Sequence, residues 1–192
     1  MVLEIDAEDA VLRSLEATGM RHWEALGQVS VLVGHHVARQ EWRMALERRI
    51  TTTDAVATLD ELAEFAPDLA QELLQDWLRG HRVEGDLLLN GLTWVRSLPE
   101  GLSVEGNLGL VGCVSLESIG SETVVAGSLS LLGCHGLSQL GTGLSVGREL
   151  DIRACRHLSK LSKDLEVGGD LRLWAGVEIP IGIRVGGRVI FG

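Results

Sequence analysis

The sequence predicts an α/β solenoid, in which an α-helical region is followed by a parallel stack of β-strands. Three observations predict this fold class. Apolar residues recur every 21 residues over residues 83–192, they alternate with period two inside each repeat, and residues 1–82 show helical spacing with helix caps. We therefore divide the chain of 192 residues into a helical domain at 1–82 and a solenoid of about five and a half repeats at 83–192.

Valine anchors the repeat, because it returns every 21 residues and once more after a shortened unit of 18, at Val83, Val104, Val125, Val146, Val167 and Val185. In most copies glycine follows two residues later, and a large apolar residue follows at four and at six residues. These positions alternate, which predicts one long strand with one buried face. We expect the glycine to face inward, where it leaves room for bulky neighbours.

Further apolar anchors follow the strand at constant offsets, and one such set is Val95, Leu116, Leu137, Leu158 and Ile179. A small residue between the strand and these anchors suits a tight turn. One repeat cannot bury its apolar residues by itself, but stacked repeats bury them against one another, and about three copies suffice for stability. The pattern therefore predicts one continuous core along the stack.

The three cysteines, Cys113, Cys134 and Cys155, share one offset and should stack in a column. One reading is a thiolate metal site that includes His135 and His157. The chain has no C-x-x-C pair, however, and side chains that stack in one direction do not converge on a tetrahedral ion. Buried cysteine packs as a small apolar residue. We therefore predict a structural column, with no metal and no cofactor.

The helical domain contains stretches with helical spacing near Leu12 and Leu15 and between residues 28 and 49. Residues Thr58 to Glu61 match a capping box, although Thr53 and Asp54 could cap the same helix earlier. A further helix should begin near Pro67 and end before Gly80. Three to five helices are expected. They either cap the first repeat or form a separate domain that binds a partner.

The repeat resembles the bacterial leucine-rich repeat, whose L-x-L strand is followed three residues later by Asn or Cys. The matching segments are Leu110–Cys113, Leu131–Cys134 and Ile152–Cys155, and Leu98–Leu102 has the L-P-x-x-L form of short bacterial repeats. The valine stands four residues before L-x-L, where the family usually has a leucine three residues before it. This departure leaves a parallel β-helix as the alternative architecture. The resemblance implies a bacterial protein that binds other proteins.

Charge and composition limit the classes of partner. The chain carries 27 acidic and 17 basic residues, a net charge of −10, which disfavours nucleic acid as a partner. The sequence has no apolar run long enough for a membrane span, and its first residues lack the pattern of a signal peptide. Three cysteines indicate a reducing compartment. We expect a cytoplasmic protein, while secretion without a signal peptide stays open.

Candidate binding residues are those that alternate with the buried ones and therefore face outward on the sheet. Trp and Arg are common anchors of interfaces, and an exposed apolar row marks an interaction site. The candidate partner-binding residues are Leu88, Val111, Leu132, Arg153, Arg172 and Trp174, with the four apolar residues forming a row along one edge of the sheet. Alternatively, the helices or neighbouring loops cover this surface.

The final strand is a second candidate site. Val189, Ile190 and Phe191 form an apolar strand at the end of the stack, and an unpaired strand edge recruits other strands. We expect two chains to pair through this edge as a homodimer, or another partner to cover it.

The sequence therefore predicts a non-catalytic scaffold that recognises a protein partner through the outward face of its sheet. A secreted effector or toxin-associated protein that binds a host target is the alternative. No catalytic motif occurs in the chain. An enzyme would need to build its site from Glu149, Asp151, Asp170 and His157, which form the one cluster of titratable residues that we consider for catalysis.

Overall fold

The computed structural model describes residues 39–40 and 51–192. The chain forms two compact units, Met1–Leu74 and Gln75–Gly192, with the boundary inside a helix. The division after residue 82 that the sequence suggests marks a different point, namely the start of the repeat pattern. The predicted helical stretches near Leu12 and between residues 28 and 49 lie outside the described residues, apart from Arg39 and Gln40, which are helical.

Helix α1 spans Thr52–Ala63 in the first unit. Its N-cap is Thr51, whose hydroxyl oxygen accepts a hydrogen bond of 3.1 Å from the Asp54 backbone N–H. The capping box at Thr58–Glu61 is therefore wrong, because Thr58 lies inside the helix. The alternative cap at Thr53 and Asp54 is also wrong, because both residues lie inside the helix. Asp54 is the third helical residue, and its carboxylate accepts a hydrogen bond from the Thr51 hydroxyl.

Helix α2 spans Pro67–Leu78, so the prediction of a helix that begins near Pro67 and ends before Gly80 is confirmed. Gly80 adopts a φ of +71°, the left-handed conformation typical of the residue after a helix. Apolar residues three and four positions apart are buried, namely Ala66, Leu69, Ala70, Leu73, Leu74 and Leu78. Within the described part of the chain, no helix has the length and apolar character to cross a membrane.

The second unit contains two parallel sheets with six strands each. Sheet A consists of β1 (Arg82–Val83), β3 (Ser103–Val104), β5 (Val124–Val125), β7 (Ser145–Val146), β9 (Glu166–Val167) and β11 (Arg184–Val185). Sheet B consists of β2 (Leu87–Leu88), β4 (Leu108–Gly109), β6 (Leu129–Ser130), β8 (Leu150–Ile152), β10 (Leu171–Leu173) and β12 (Val189–Phe191).

Each turn of the chain, here called a coil, contributes one strand to each sheet. Equivalent residues of neighbouring coils pair in register, as Val83 does with Val104 and Leu87 with Leu108. Isolated parallel bridges form a third ladder, in which Ser118 pairs with Ser97 and Gln139. The second unit thus contains a β-solenoid of 21-residue coils, as the sequence predicts. The parallel β-helix alternative fits this arrangement as well.

The long alternating strand expected from valine to the second leucine is wrong, because the chain bends after the valine and divides it between the two sheets. The glycine lies in this bend and does not face inward as expected. Bends of adjacent coils are stacked, with the Gly106 N–H donating to the Gly85 carbonyl over 2.9 Å. A Cβ atom on Gly106 would lie 2.5 Å from the Gly85 carbonyl carbon. Glycine therefore permits close stacking of backbones at this corner.

The core of the second unit is built from columns of identical or similar residues. Leu108, Leu129 and Leu150 stack in one column and Leu110, Leu131 and Ile152 in another, and all are 0–1% exposed. Burial of apolar surface contributes about 25 cal/mol per Å², so contacts between coils dominate the stability of such a repeat structure.

One predicted apolar anchor is misplaced, because Ile179 does not continue the column that contains Leu158. Lys160 pairs with Glu178, which places Ile179 beside Leu161. Leu173 still pairs with Ile152, so the shortening of the last coil by three residues falls between positions 173 and 178. Val177 is 6% exposed and is the buried apolar residue of this shortened turn, while Ile179 is exposed.

The turn after each sheet B strand requires the left-handed conformation, and this gives a test. Gly133 has a φ of +78° there, whereas the equivalent Ala154 is held at +61°. Because a side chain disfavours this conformation by about 1–2 kcal/mol, and glycine loses more entropy on folding, we expect Ala154→Gly to stabilise the protein by roughly 0.5–1 kcal/mol.

Gly133→Ala should destabilise the protein by about 1 kcal/mol for the same conformational reason. The added methyl group would lie no closer than 3.9 Å to any neighbouring atom, so the variant tests the cost of the left-handed backbone conformation without a steric clash. Urea unfolding of both variants measures the effect, and a loss of stability in Ala154→Gly would contradict the interpretation.

Candidate functional site

The outer face of sheet B displays three columns of side chains along the stack. Pairing registers and hydrogen bonds between coils define them. They are a corner column (Asp86, Asn107, Ser128, Glu149, Asp170 and Arg188), a middle column (Leu88, Gly109, Ser130, Asp151, Arg172 and Ile190) and a rim column (Asn90, Val111, Leu132, Arg153 and Trp174).

The corner column links the coils through polar side chains. Asp86 accepts a hydrogen bond of 2.7 Å from the Asn107 N–H, and Asn107 in turn accepts one of 2.9 Å from the Ser128 N–H. The backbone and side-chain N–H groups of Asn107 hold the pKa of Asp86 below its usual value. We did not predict this ladder, although the recurrence of Asp, Asn, Ser and Glu at one offset of the repeat was a usable signal.

Exposed apolar side chains lie at the N-terminal end of the outer face. Leu88 is 56% exposed, and its Cδ2 atom would lie 3.0 Å from a Cβ on Gly109, so the side chain extends over this glycine. Val111 is 38% exposed, and its N–H donates to the Asn90 Oδ1 over 2.8 Å. Leu88 lies in β2, whereas Val111 lies two residues after β4, in the turn of the next coil.

The continuous apolar row that the sequence suggests is interrupted in the structure. Leu88 lies in the middle column, while Val111, Leu132 and Trp174 lie in the rim column. Leu132 is half-buried, and Arg153 separates it from Trp174. The predicted residues therefore form an apolar patch on the first coils, with Trp174 apart from it.

Trp174 is half-buried. A Cβ atom on Gly176 would overlap the indole ring, which lies over this glycine. The indole Nε1 is buried and has no hydrogen-bond partner among the residues that the structure describes. The ring therefore packs against the turn of its own coil.

The C-terminal half of the outer face carries three carboxylate–arginine pairs. Arg153 contacts Asp151 with both Nε and Nη2, at 3.0 and 2.7 Å. Arg172 pairs with Glu149, and Arg188 pairs with Asp170 over 3.3 Å. The two arginines predicted as binding residues, Arg153 and Arg172, are thus both held by carboxylates, which limits the conformations of their planar donor groups.

The pKa values of these carboxylates bear on the catalytic alternative. Burial acts to raise the pKa of Asp151, but hydrogen bonds and charge from Arg153 outweigh it and hold the pKa below its usual value. The Arg188 backbone N–H likewise lowers the pKa of Asp170. Asp151 and Asp170 therefore remain ionised at neutral pH, and Glu149 is bound to Arg172.

The cysteine column lies in the core. Each thiol donates to a backbone carbonyl of the preceding coil, as Cys134 Sγ does to Leu110 O over 2.9 Å and Cys155 Sγ to Leu131 O over 3.0 Å. Burial raises the pKa of Cys134 to about 12 and that of Cys155 to about 11. In residues 39–40 and 51–192 no group of three or more His, Cys, Asp or Glu is placed to hold a metal ion.

A groove of about 590 Å³ follows the third ladder of the solenoid. Ser97, Ser118 and Gln139 line it together with Gln75 and Arg79 from the end of α2. The Gln75 side-chain amide donates to the Ser97 carbonyl over 3.0 Å, which fixes this helix end to the first coil. The groove was not predicted from the sequence, because it depends on how the chain folds back after α2.

No family model matches this chain, and comparison with the curated proteins and with the solved structures found no match.

Proposed function

We propose that this protein is a non-catalytic scaffold that binds a protein partner through the outer face of sheet B. The observation that carries the proposal is the patch of Leu88 and Val111, which are 56% and 38% exposed on adjacent coils. Exposed apolar side chains grouped on one rigid surface are typical of interaction sites.

The rigidity of the face favours binding. Backbone hydrogen bonds connect each coil to the next, as between the Leu110 N–H and the Ser130 carbonyl at 2.8 Å. The corner column adds side-chain bonds between coils. A surface that is ordered before binding loses little conformational entropy on association, so a modest apolar contact yields more net affinity.

The charged half of the face supports specificity. Arg153 and Arg172 belong to ion pairs, and their side chains are 37% and 36% exposed. Arginine held in this way can donate to carbonyl or carboxylate groups of a partner without a large loss of side-chain freedom. The proposed partner therefore has an apolar segment opposite the first coils and acceptor groups opposite the last ones.

The electrostatics favour binding over catalysis. Hydrogen bonds lower the pKa values of Asp86, Asp151, Asp164 and Asp170, and burial raises those of the three cysteines. Each of these groups is thus moved away from neutral pH, opposite to the tuning that general acids and bases need.

The proposal includes an assignment to the bacterial leucine-rich-repeat proteins and to the cytoplasm. The L-x-L-x-x-C segments of three repeats support the family. The 15 arginines against two lysines support a GC-rich bacterial genome, and the three cysteines support a reducing compartment.

The test compares three chains in affinity capture from an extract of the source cells: wild type, Leu88→Glu/Val111→Glu, and Val124→Glu as the matched control. Val124 is 47% exposed but lies on sheet A, so its substitution adds the same charge to another face. A captured partner is then purified, and its Kd is measured for each chain.

We expect the double variant to weaken binding at least about tenfold, because it places charge where the partner's apolar segment contacts the sheet. The control should bind as wild type does. Equal affinity for all three chains, or loss in Val124→Glu alone, would refute the outer face of sheet B as the binding surface.

A further inference from the structure

The groove along the third ladder has the size of a small-ligand site, and all of its lining residues belong to the second unit. Its volume of about 590 Å³ lies within the range of roughly 300–1,000 Å³ that is usual for ligand pockets. Its charged side chains are Arg79 and Glu100, which carry no net charge together. Its remaining polar side chains are uncharged, and they are Gln75, Ser97, Ser118, Ser121 and Gln139. Hydrogen bonding, and not net charge, therefore selects the ligand.

Two rows of hydrogen-bonding side chains run along this groove. In the first row, Ser118 pairs in register with Ser97 on one side and with Gln139 on the other. The second row contains Glu100 and Ser121, which are equivalent positions of adjacent coils. Because neighbouring parallel strands lie about 4.8 Å apart, the groups of a row recur at this distance. Ser118 is half-buried and Gln139 is exposed, and their hydroxyl and amide groups can both donate and accept hydrogen bonds.

Hydrogen bonds within the protein fix both rows before a ligand binds. In the first row, the Gln75 side-chain amide donates to the Ser97 hydroxyl over 2.7 Å. In the second row, the Thr142 hydroxyl donates to the Ser121 hydroxyl over 3.2 Å. Side chains that are already ordered lose little conformational entropy on binding, so even a few hydrogen bonds to a ligand contribute to affinity.

The strip between the two rows is kept free of side chains by the stacking of the coils. A Cβ atom on Gly120 would lie 2.2 Å from the Pro99 carbonyl oxygen, and one on Gly141 would lie 2.4 Å from the Gly120 carbonyl oxygen. Glycine is therefore required at both positions, since any side chain would collide with the preceding coil. The bare strip leaves space for a flat ring between the rows.

We propose that this groove binds an uncharged, β-linked oligosaccharide in an extended conformation, with one sugar ring for each coil. A pyranose ring in a β-1,4-linked chain advances by about the distance between coils, so successive rings present equivalent hydroxyl groups to equivalent side chains. An extended peptide advances about 3.3 Å per residue and does not keep this register. Nucleic acid is disfavoured, because Arg79 alone cannot neutralise several phosphates. This inference is independent of the outer face of sheet B as a binding surface.

The test is an NMR titration of the 192-residue chain with cellotriose, a β-1,4-linked trisaccharide of glucose. We expect a Kd below about 1 mM, with the largest changes in the amide resonances of the groove residues. Maltotriose, the α-1,4-linked isomer, should bind at least about fivefold more weakly, because its curved chain does not follow the rows.

Ser118→Ala/Gln139→Ala should weaken the binding of cellotriose at least about tenfold, because two hydrogen-bonding groups of the first row are lost. Ser138→Ala is the matched control. The Ser138 hydroxyl donates to the Glu117 carbonyl over 3.2 Å outside the groove, so this variant should bind as wild type does. Circular dichroism verifies that both variants are folded.

Three results would overturn the proposal. The first is the absence of binding to wild type at about 10 mM cellotriose, a concentration at which even weak affinity is detected. The second is equal affinity of wild type for cellotriose and maltotriose, or equal affinity of wild type and the groove variant for cellotriose. The third is a set of resonance changes confined to residues outside the groove.

Discussion

Deletion of residues 126–146 is expected to give a folded protein with one coil fewer. The deletion joins Val125 to Gly147, and since Val125 and Val146 are equivalent positions in sheet A, every column stays in register. The remaining coils then stack as before. At about 0.05–0.15 kcal/mol per residue, the loss of 21 residues should lower the free energy of unfolding by roughly 1–3 kcal/mol.

Deletion of residues 126–136 should instead abolish cooperative unfolding. It removes β6 and Cys134 but leaves half a coil, which cannot span the distance between the two sheets or keep its leucines in the core columns. Urea unfolding followed by circular dichroism distinguishes the two deletions. A cooperative transition in the half-coil deletion, or none in the full-coil deletion, would contradict the 21-residue coil as the structural unit.

Leu131→Ala is expected to destabilise the protein by about 2–5 kcal/mol, because it removes a fully buried side chain from a column that cannot collapse without moving two neighbouring coils. Leu131 is 0% exposed, lies between Leu110 and Ile152 in the stack, and is followed by the Cys134 turn. The measurement is the free energy of unfolding from urea denaturation at neutral pH.

Leu132→Ala is the matched control, since it makes the same chemical change one residue later. Leu132 is half-buried in the rim column of the outer face, and its replacement should cost less than about 1 kcal/mol. Similar losses for the two variants would mean that the alternation of buried and outward residues does not extend past the strand, and the rim column would then not be part of the outer face.

The stability of the core and the proposed binding surface have a common origin in the repeat. Stacking buries the inward leucines and leaves the positions between them on the surface in straight columns. Leu88 and Val111 are exposed because they occupy outward positions. A substitution at this surface should therefore leave the central core intact.

The predicted residues of the candidate surfaces come from this alternation. Leu88, Val111, Arg153 and Arg172 could be assigned to an outward face from the spacing alone. The ion pairs of the two arginines could not be assigned in this way, because their partners follow no common spacing. Arg153 pairs with Asp151 of its own coil, whereas Arg172 pairs with Glu149 of the preceding coil. The half-burial of Trp174 also depends on a local feature, the glycine at position 176.

The sequence by itself determined the solenoid, its 21-residue coil and the members of most core columns. The physical reason is that a stack of coils repeats by translation, so equal spacing in sequence places equivalent residues next to each other, and their apolar character shows which of them are buried. The start of α2 at Pro67 was equally readable, since proline fits the first turn of a helix and is excluded from its interior.

Only the tertiary structure decided where each coil bends. Alternation of apolar residues continues across the corner at Gly85, so the pattern predicts one strand where the chain forms β1 and β2 in different sheets. The bend is fixed by hydrogen bonds to the next coil, such as that between the Gly106 N–H and the Gly85 carbonyl. Likewise, the pairing of Glu178 with Lys160 shows that the last coil is shortened before Glu178. Contacts between coils determine which residues are aligned, so spacing along one coil does not locate the shortening.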